Sequence, residues 1–144
     1  PKKARARKPR APAIKAPIPF AFVLELLEPA GAYTKPFFGC TAVYVDDKIV
    51  LLLRDREEWP EDNGVSVATF FEHHDSLREE LPSLRSLTRF GPEPTHWQHL
   101  PSDSDDFEAA AERVCALIVA RDPRIGRVPK ASKAKRPKKR DFEP

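Results

Sequence analysis

The chain has no methionine, two cysteines and five glycines, and each scarcity removes a class of explanation. With only Cys40 and Cys115, a disulfide-stapled scaffold and a four-thiolate zinc site are excluded. Both cysteines sit among apolar neighbours, which predicts buried, inert thiols in a reducing compartment. The glycines stand singly, at 31, 39, 64, 91 and 126, so no glycine-rich loop exists to cradle a phosphate. No apolar run approaches the ~20 residues of a membrane span. Pro1-Lys2-Lys3 is basic but has no apolar stretch behind it, unlike a secretory signal. The missing methionine ahead of Pro1 is what removal of an initiator residue would leave.

Proline, by contrast, is plentiful at 16 residues, and half of it lies in residues 1–19 and 127–144. Those same segments hold most of the positive charge. Residues 1–19 carry Lys2, Lys3, Arg5, Arg7, Lys8, Arg10 and Lys15 with no acid, a charge of +7. Residues 127–144 carry Arg127, Lys130, Lys133, Lys135, Arg136, Lys138, Lys139 and Arg140 against Asp141 and Glu143, a charge of +6. The 20–126 stretch is −10, so the net +3 hides an acidic body with two basic arms. Repeated proline with little to bury predicts disordered arms. Extended, each would reach roughly 50 Å at ~3.1 Å per residue. The expected organisation is a tail over 1–17, one domain over 18–126 and a tail over 127–144.

Within the body the apolar spacing predicts a short helix over 19–28, with Phe22, Val23, Leu26 and Leu27 on one stripe. Two strands, 37–45 and 49–53, flank Asp46-Asp47-Lys48 and predict a hairpin; 64–68 offers a third strand. Thr69 and Glu72 have capping-box spacing for a helix over 70–80. Segments 84–90 and 95–100 alternate around Gly91-Pro92-Glu93-Pro94 and predict a second hairpin. The acids at 103, 105 and 106 precede a stripe of Phe107, Ala110, Ala111, Val114, Leu117 and Ile118, a closing helix. The fold class is therefore α+β, an antiparallel sheet of about five strands with helices packed on it, in the order α-β-β-β-α-β-β-α.

That order, together with Phe37-Phe38-Gly39-Cys40-Thr41-Ala42-Val43-Tyr44-Val45-Asp46-Asp47-Lys48-Ile49, resembles the TfoX N-terminal-domain-like family over about residues 18–126. Trp97 on the last strand and Asp106-Phe107 opening the last helix fit the likeness. Cys40 stands where many members have a second glycine, and Asp47 replaces the turn glycine. The resemblance implies an α+β layer similar to secretion-chaperone domains and a regulatory or binding role without catalytic residues.

Chemistry of other kinds has little to build on. His96 and His99 have ligand-like spacing for a helix, but on a strand residues three apart face opposite ways. His73 and His74 belong to a solvated helix face. Asp103, Asp105, Asp106 and Glu108 lack the glycine and the final glutamate of a calcium loop, and they complement a helix dipole instead. No catalytic constellation, metal site or cofactor is expected. The arms carry the stronger signal, since flexible cationic chains bind polyphosphate by releasing counterions, without reading sequence. The expected nucleic-acid contacts are Lys2, Lys3, Arg5, Arg7, Lys8, Arg10, Lys133, Lys135, Arg136, Lys138, Lys139 and Arg140. The expected function is a cytoplasmic, nucleoid-associated accessory or regulatory protein that is not an enzyme. Its arms grip nucleic acid nonspecifically, DNA rather than RNA being the expected partner, and its body serves homodimerisation or a partner. The alternative is a protein-interaction adaptor whose tails bind an acidic partner, presenting Trp59, Trp97 and the sheet edges. Membrane binding is not expected, because the arms lack an apolar component.

Overall fold

The computed structural model describes residues 17–129. Its centre is a five-stranded antiparallel sheet formed by β1 (Tyr33–Phe37), β2 (Cys40–Val45), β3 (Lys48–Arg54), β4 (Gly64–Val67) and β5 (Gln98–Pro101), paired in that order. Three helices accompany it, α1 (Phe22–Leu26), α2 (His74–Glu80) and α3 (Phe107–Val119). This is the α+β class expected, with one rearrangement of order. A strand precedes the 40–45 segment, and 84–90 forms no strand beyond a single bridge from Arg85 to His99. The order is thus α-β-β-β-β-α-β-α. The segment 37–45 is two strands because Phe38-Gly39 folds the chain back, pairing Phe37 with Cys40. Phe38 and Gly39 both have positive φ, 50° and 81°, the geometry of a tight two-residue hairpin turn.

The Asp46-Asp47 hairpin forms as expected, with Val45 opposite Lys48. Val43 pairs with Leu51 and Tyr44 with Ile49, so Val50 is one residue too many on β3. This bulge lets Val50 and Leu51 both turn into the core. That core gathers Val43, Leu51, Leu53, Val65, Val67 and Leu100 from the sheet with Val23, Leu27, Leu77, Val114 and Ile118 from all three helices. Phe20 and Phe22 meet Phe107 edge-on at 5.3 and 6.3 Å, locking α1 to α3. Cys115 is buried there and its thiol is pushed up to about 12, chiefly by burial, as an inert core cysteine requires.

Three local expectations change. The 70–80 helix begins with a 3₁₀ turn over Phe71–His73, and α2 proper starts at His74. Thr69 does not cap it; its hydroxyl donates to the Arg124 carbonyl at 2.6 Å, a tertiary bond that outcompetes the local one. Cys40, expected to be buried, is half-exposed on the sheet face away from the helices. Arg127, counted with the C-terminal tail, exchanges backbone hydrogen bonds with Ile49 at 2.9 and 3.0 Å.

Gly64 begins β4 at φ 138°, and a Cβ there would lie 2.1 Å from the Leu100 carbonyl oxygen and 2.8 Å from the Ser102 nitrogen. The clash is with backbone of the paired strand and cannot be relieved by a rotamer. Gly64→Ala is expected to cost roughly 3 kcal/mol or more, lowering the thermal midpoint by roughly 12 °C or more. A circular-dichroism melt within about 2 °C of the parent would contradict this packing.

Candidate binding cleft on the uncovered face of the sheet

Strand alternation sends one set of side chains to the helices and the other set outward. The outward set is Phe37, Cys40, Ala42, Tyr44, Ile49, Leu52 and Arg54, joined by Ala68 and Trp97. Ala42, Ile49, Leu52 and Ala68 form a second small buried cluster with Phe37, Cys40, Tyr44 and Trp97 against it, and no helical residue belongs to it. This face is uncovered by helices. A cleft of about 340 Å³ opens on it between Phe37, Phe38, Leu52, Phe90 and Trp97, with Arg54, Arg56, Glu58 and Arg89 around it. A second hollow, of about 610 Å³, shares Phe37, Phe38 and Trp97 and runs to Arg127, Val128 and Pro129.

Aromatic rings and cations alternate over this surface. Tyr33 stacks on Tyr44 at 5.4 Å, and Lys35 lies 5.1 Å over the Tyr44 ring. The Arg89 guanidinium is 4.6 Å over Phe90, and that of Arg127 is 4.8 Å over Phe70. Phe38 is 91% exposed, at the tip of the β1–β2 turn. Its neighbour Gly39 is favoured there by its left-handed φ of 81°, and the Arg56 guanidinium packs over it and donates to the Gly39 carbonyl. None of the five strands contains an aspartate or glutamate, although the body as a whole is acidic.

The arginines are placed by a buried polar knot. Arg54 is only 4% exposed. It donates to the Trp59 carbonyl, the Asn63 side-chain oxygen and the Glu58 carbonyl, all neutral acceptors. It has no carboxylate partner among the described residues. Asp62 is fully buried and accepts from the amides of Thr88 and Arg89, the Thr88 hydroxyl and the Arg89 and Arg85 guanidiniums at 3.0 to 3.4 Å. Arg85 also donates to the Glu61 carbonyl. Burial would raise the Asp62 carboxyl, but the amides of Arg89 and Thr88 and the two side chains overcome it and hold it down at about 2. The loop that carries Arg89 and Phe90 to the cleft is therefore pinned by one carboxylate.

Ser66 and His99 lie beneath this knot, 2.8 Å apart. His99 Nε2 faces the Asn63 carbonyl at 3.1 Å and must donate to it, which leaves Nδ1 to accept from the Ser66 hydroxyl. The pair has the look of a nucleophile and its base, but both residues are buried and the bond braces β4 against β5. Burial holds the His99 imidazole down at about 4, with nearby Arg85 adding to the effect. His96 faces elsewhere, accepting from the Phe71 amide through Nδ1 at 3.0 Å. No group of three potential metal ligands occurs among the described residues, and no helix there is long and apolar enough to cross a membrane.

The twelve expected contacts, Lys2 through Arg10 and Lys133 through Arg140, lie outside the described residues. Of the two tryptophans, Trp97 lines the cleft, while Trp59 is 50% exposed beside the knot. The sequence does not single out the cleft arginines, because Arg54 and Arg56 share an irregular charged stretch and Arg89 joins them only through the fold. Neither a domain-family model, nor a curated protein, nor a solved structure matches this chain.

The two buried groups make an acid-stability prediction. His99 binds its proton at about 4 in the folded state but at an ordinary 6.5 when unfolded, so stability falls as pH drops through that interval, by about 3 kcal/mol at most. Asp62 adds a second loss between its ordinary 3.8 and about 2. Carboxylates titrate mainly below the upper part of the first interval, which belongs to the histidines. The urea midpoint should decline from pH 6.5 towards 4 and less steeply in His99→Gln; a midpoint flat across that range in the parent would refute the assignment.

Proposed function

We propose that this is a non-catalytic nucleic-acid-binding accessory protein of the cytoplasm, held on DNA by its cationic terminal segments. The observation that carries it is the charge segregation: +7 and +6 in the terminal stretches against −10 between them. Polyphosphate binding by counterion release needs only cations free to follow a backbone. An acidic body would oppose that approach if its charge were spread evenly. It is not, because acids occupy helices and loops while the strands carry only Lys35, Lys48 and Arg54. Arg127 to Pro129, the last described residues before the C-terminal cations, lie along the face whose strands carry no acid. The resemblance to TfoX N-terminal-type domains adds the expectation of a regulatory role.

The adaptor alternative, a partner strand added to a sheet edge, is less well supported. β1 is blunted by Lys35 and Pro36, and the free side of β5 is occupied by Arg85, which exchanges hydrogen bonds with His99 at 2.8 and 3.0 Å.

With six to ten phosphates engaged, affinity of the full chain for duplex DNA should fall ~10³- to 10⁵-fold between roughly 50 and 200 mM salt. Replacing the twelve named cations by glutamine in the full chain should abolish most of the binding and flatten the slope. Flat salt dependence in the parent, or binding unchanged in the replaced chain, would reject the proposal.

A further inference from the structure

The cleft is built for something that duplex DNA does not offer. Phe38 is a bulky aromatic residue held at φ 50°, a left-handed position that Gly, Asn and Asp occupy more cheaply. Its side chain buries almost nothing within the chain. The hairpin turn sets that φ, which Phe20 and Trp59 share; what distinguishes Phe38 is a ring 91% exposed at the mouth of the cleft, where a partner would cover it. Across the cleft, Phe90 is 58% exposed and Trp97 presents its indole wall. A space of about 340 Å³ is of the size of small-molecule sites, which begin at roughly 300 Å³.

The charges point the same way. Arg54 is a buried cation satisfied only by neutral oxygens, and an anion in the cleft would supply the charge it lacks. Arg56 and Arg89 line the same opening; Arg56 is paired with Glu58 and Arg89 with Asp62, each at 3.1 Å, so a phosphate would share these guanidiniums with the carboxylates already on them. Rings that stack and guanidiniums that meet phosphate are the paired features of single-strand binding surfaces. A duplex keeps its base faces stacked inside and can offer such a cleft only its backbone.

We infer that the cleft takes one or two unpaired nucleotides of a single strand, with bases against Phe38, Phe90 and Trp97 and phosphates on Arg56, Arg89 and Arg127. The inference rests on the nucleic-acid reading above and deepens it, naming the form of nucleic acid the body selects. A Glu-rich peptide would satisfy the arginines but leave the rings without a planar partner.

The test uses the full chain and its Phe38→Ala/Phe90→Ala variant, both sites being exposed enough to leave the core intact. Fluorescence anisotropy measures binding to labelled (dT)₁₂, (U)₁₂ and a 12-base-pair duplex. The variant should lose about tenfold or more in affinity for one or both single strands while its duplex affinity stays within twofold. Which strand is lost tells DNA from RNA. Unchanged single-strand binding by the variant, or an equal loss for duplex and single strands, overturns the cleft assignment and leaves the arms' role intact. A Glu-rich 12-residue peptide bound as tightly as the strands, and lost in the same variant, overturns it in favour of an acidic protein. A parent chain that binds none of the nucleic acids at 50 mM salt overturns both readings together.

Discussion

The buried carboxylate of Asp62 is the constraint on which the uncovered side of this domain depends. A charged group out of water is tolerated only when donors surround it, and Asp62 draws those donors from residues 85–89, far along the chain. That requirement folds the 82–90 segment back over the edge of the sheet, where Leu84 and Leu87 become buried and Arg89 and Phe90 arrive at the cleft. The same corner holds Asn63, whose side chain receives Arg54 and the Arg56 amide and whose carbonyl receives His99. Removing the Asp62 charge would leave two guanidiniums without their partner and a loop with little else to hold it. The placement of the 82–90 loop on the open face thus follows from one polar knot more than from apolar packing, whose buried members on that face are Ala42, Ile49, Leu52 and Ala68.

Charge is sorted in space as well as along the chain. Glu80 is held by Arg113 and Arg124, and Asp122 by Arg124, so part of the acidic surplus is spent tying α2 and α3 to the chain's closing segment. Those carboxyls are lowered chiefly by the arginine hydrogen bonds they accept. On the sheet side the strands carry no carboxylate, and the pairs there are Arg56 with Glu58 and Arg89 with Asp62, contributed by the flanking loops.

Much of the fold was legible because apolar periodicity is a strong signal where a segment is buried on one or both faces. Ile49 to Leu53, Val65 and Val67, and the Phe107 to Ile118 stripe are cases of this. β1 was not legible: Thr34, Lys35 and Pro36 make an exposed edge strand whose only pattern is its pairing with β2. The 84–90 segment was misread for the opposite reason. Its alternation of leucine with polar residues mimics a strand, yet the polar residues there are spoken for by Asp62 and the leucines are anchors of a loop. The candidate site was hardly legible at all. Arg54, Arg56, Phe38, Arg89 and Trp97 are brought together by topology, and even the Phe38-Gly39 turn lies inside a stretch whose β-rich composition reads as one strand over 37–45.

Two kinds of contact with nucleic acid would divide the work on the proposed reading. Arms that neutralise phosphates supply affinity that is large, indiscriminate and steeply weakened by salt. Stacking in a cleft would supply less, but it depends on a base face being free and so discriminates between single strands and duplex. Because Arg127 to Pro129 line the hollow that shares Phe37, Phe38 and Trp97 with the cleft, a strand gripped by the C-terminal segment would be presented to the rings at high effective concentration. A weak stacking site would then become selective without having to bind alone. The hairpin turn would hold the Phe38 backbone in place for that contact, while the exposed ring would still give up its rotamer freedom on stacking.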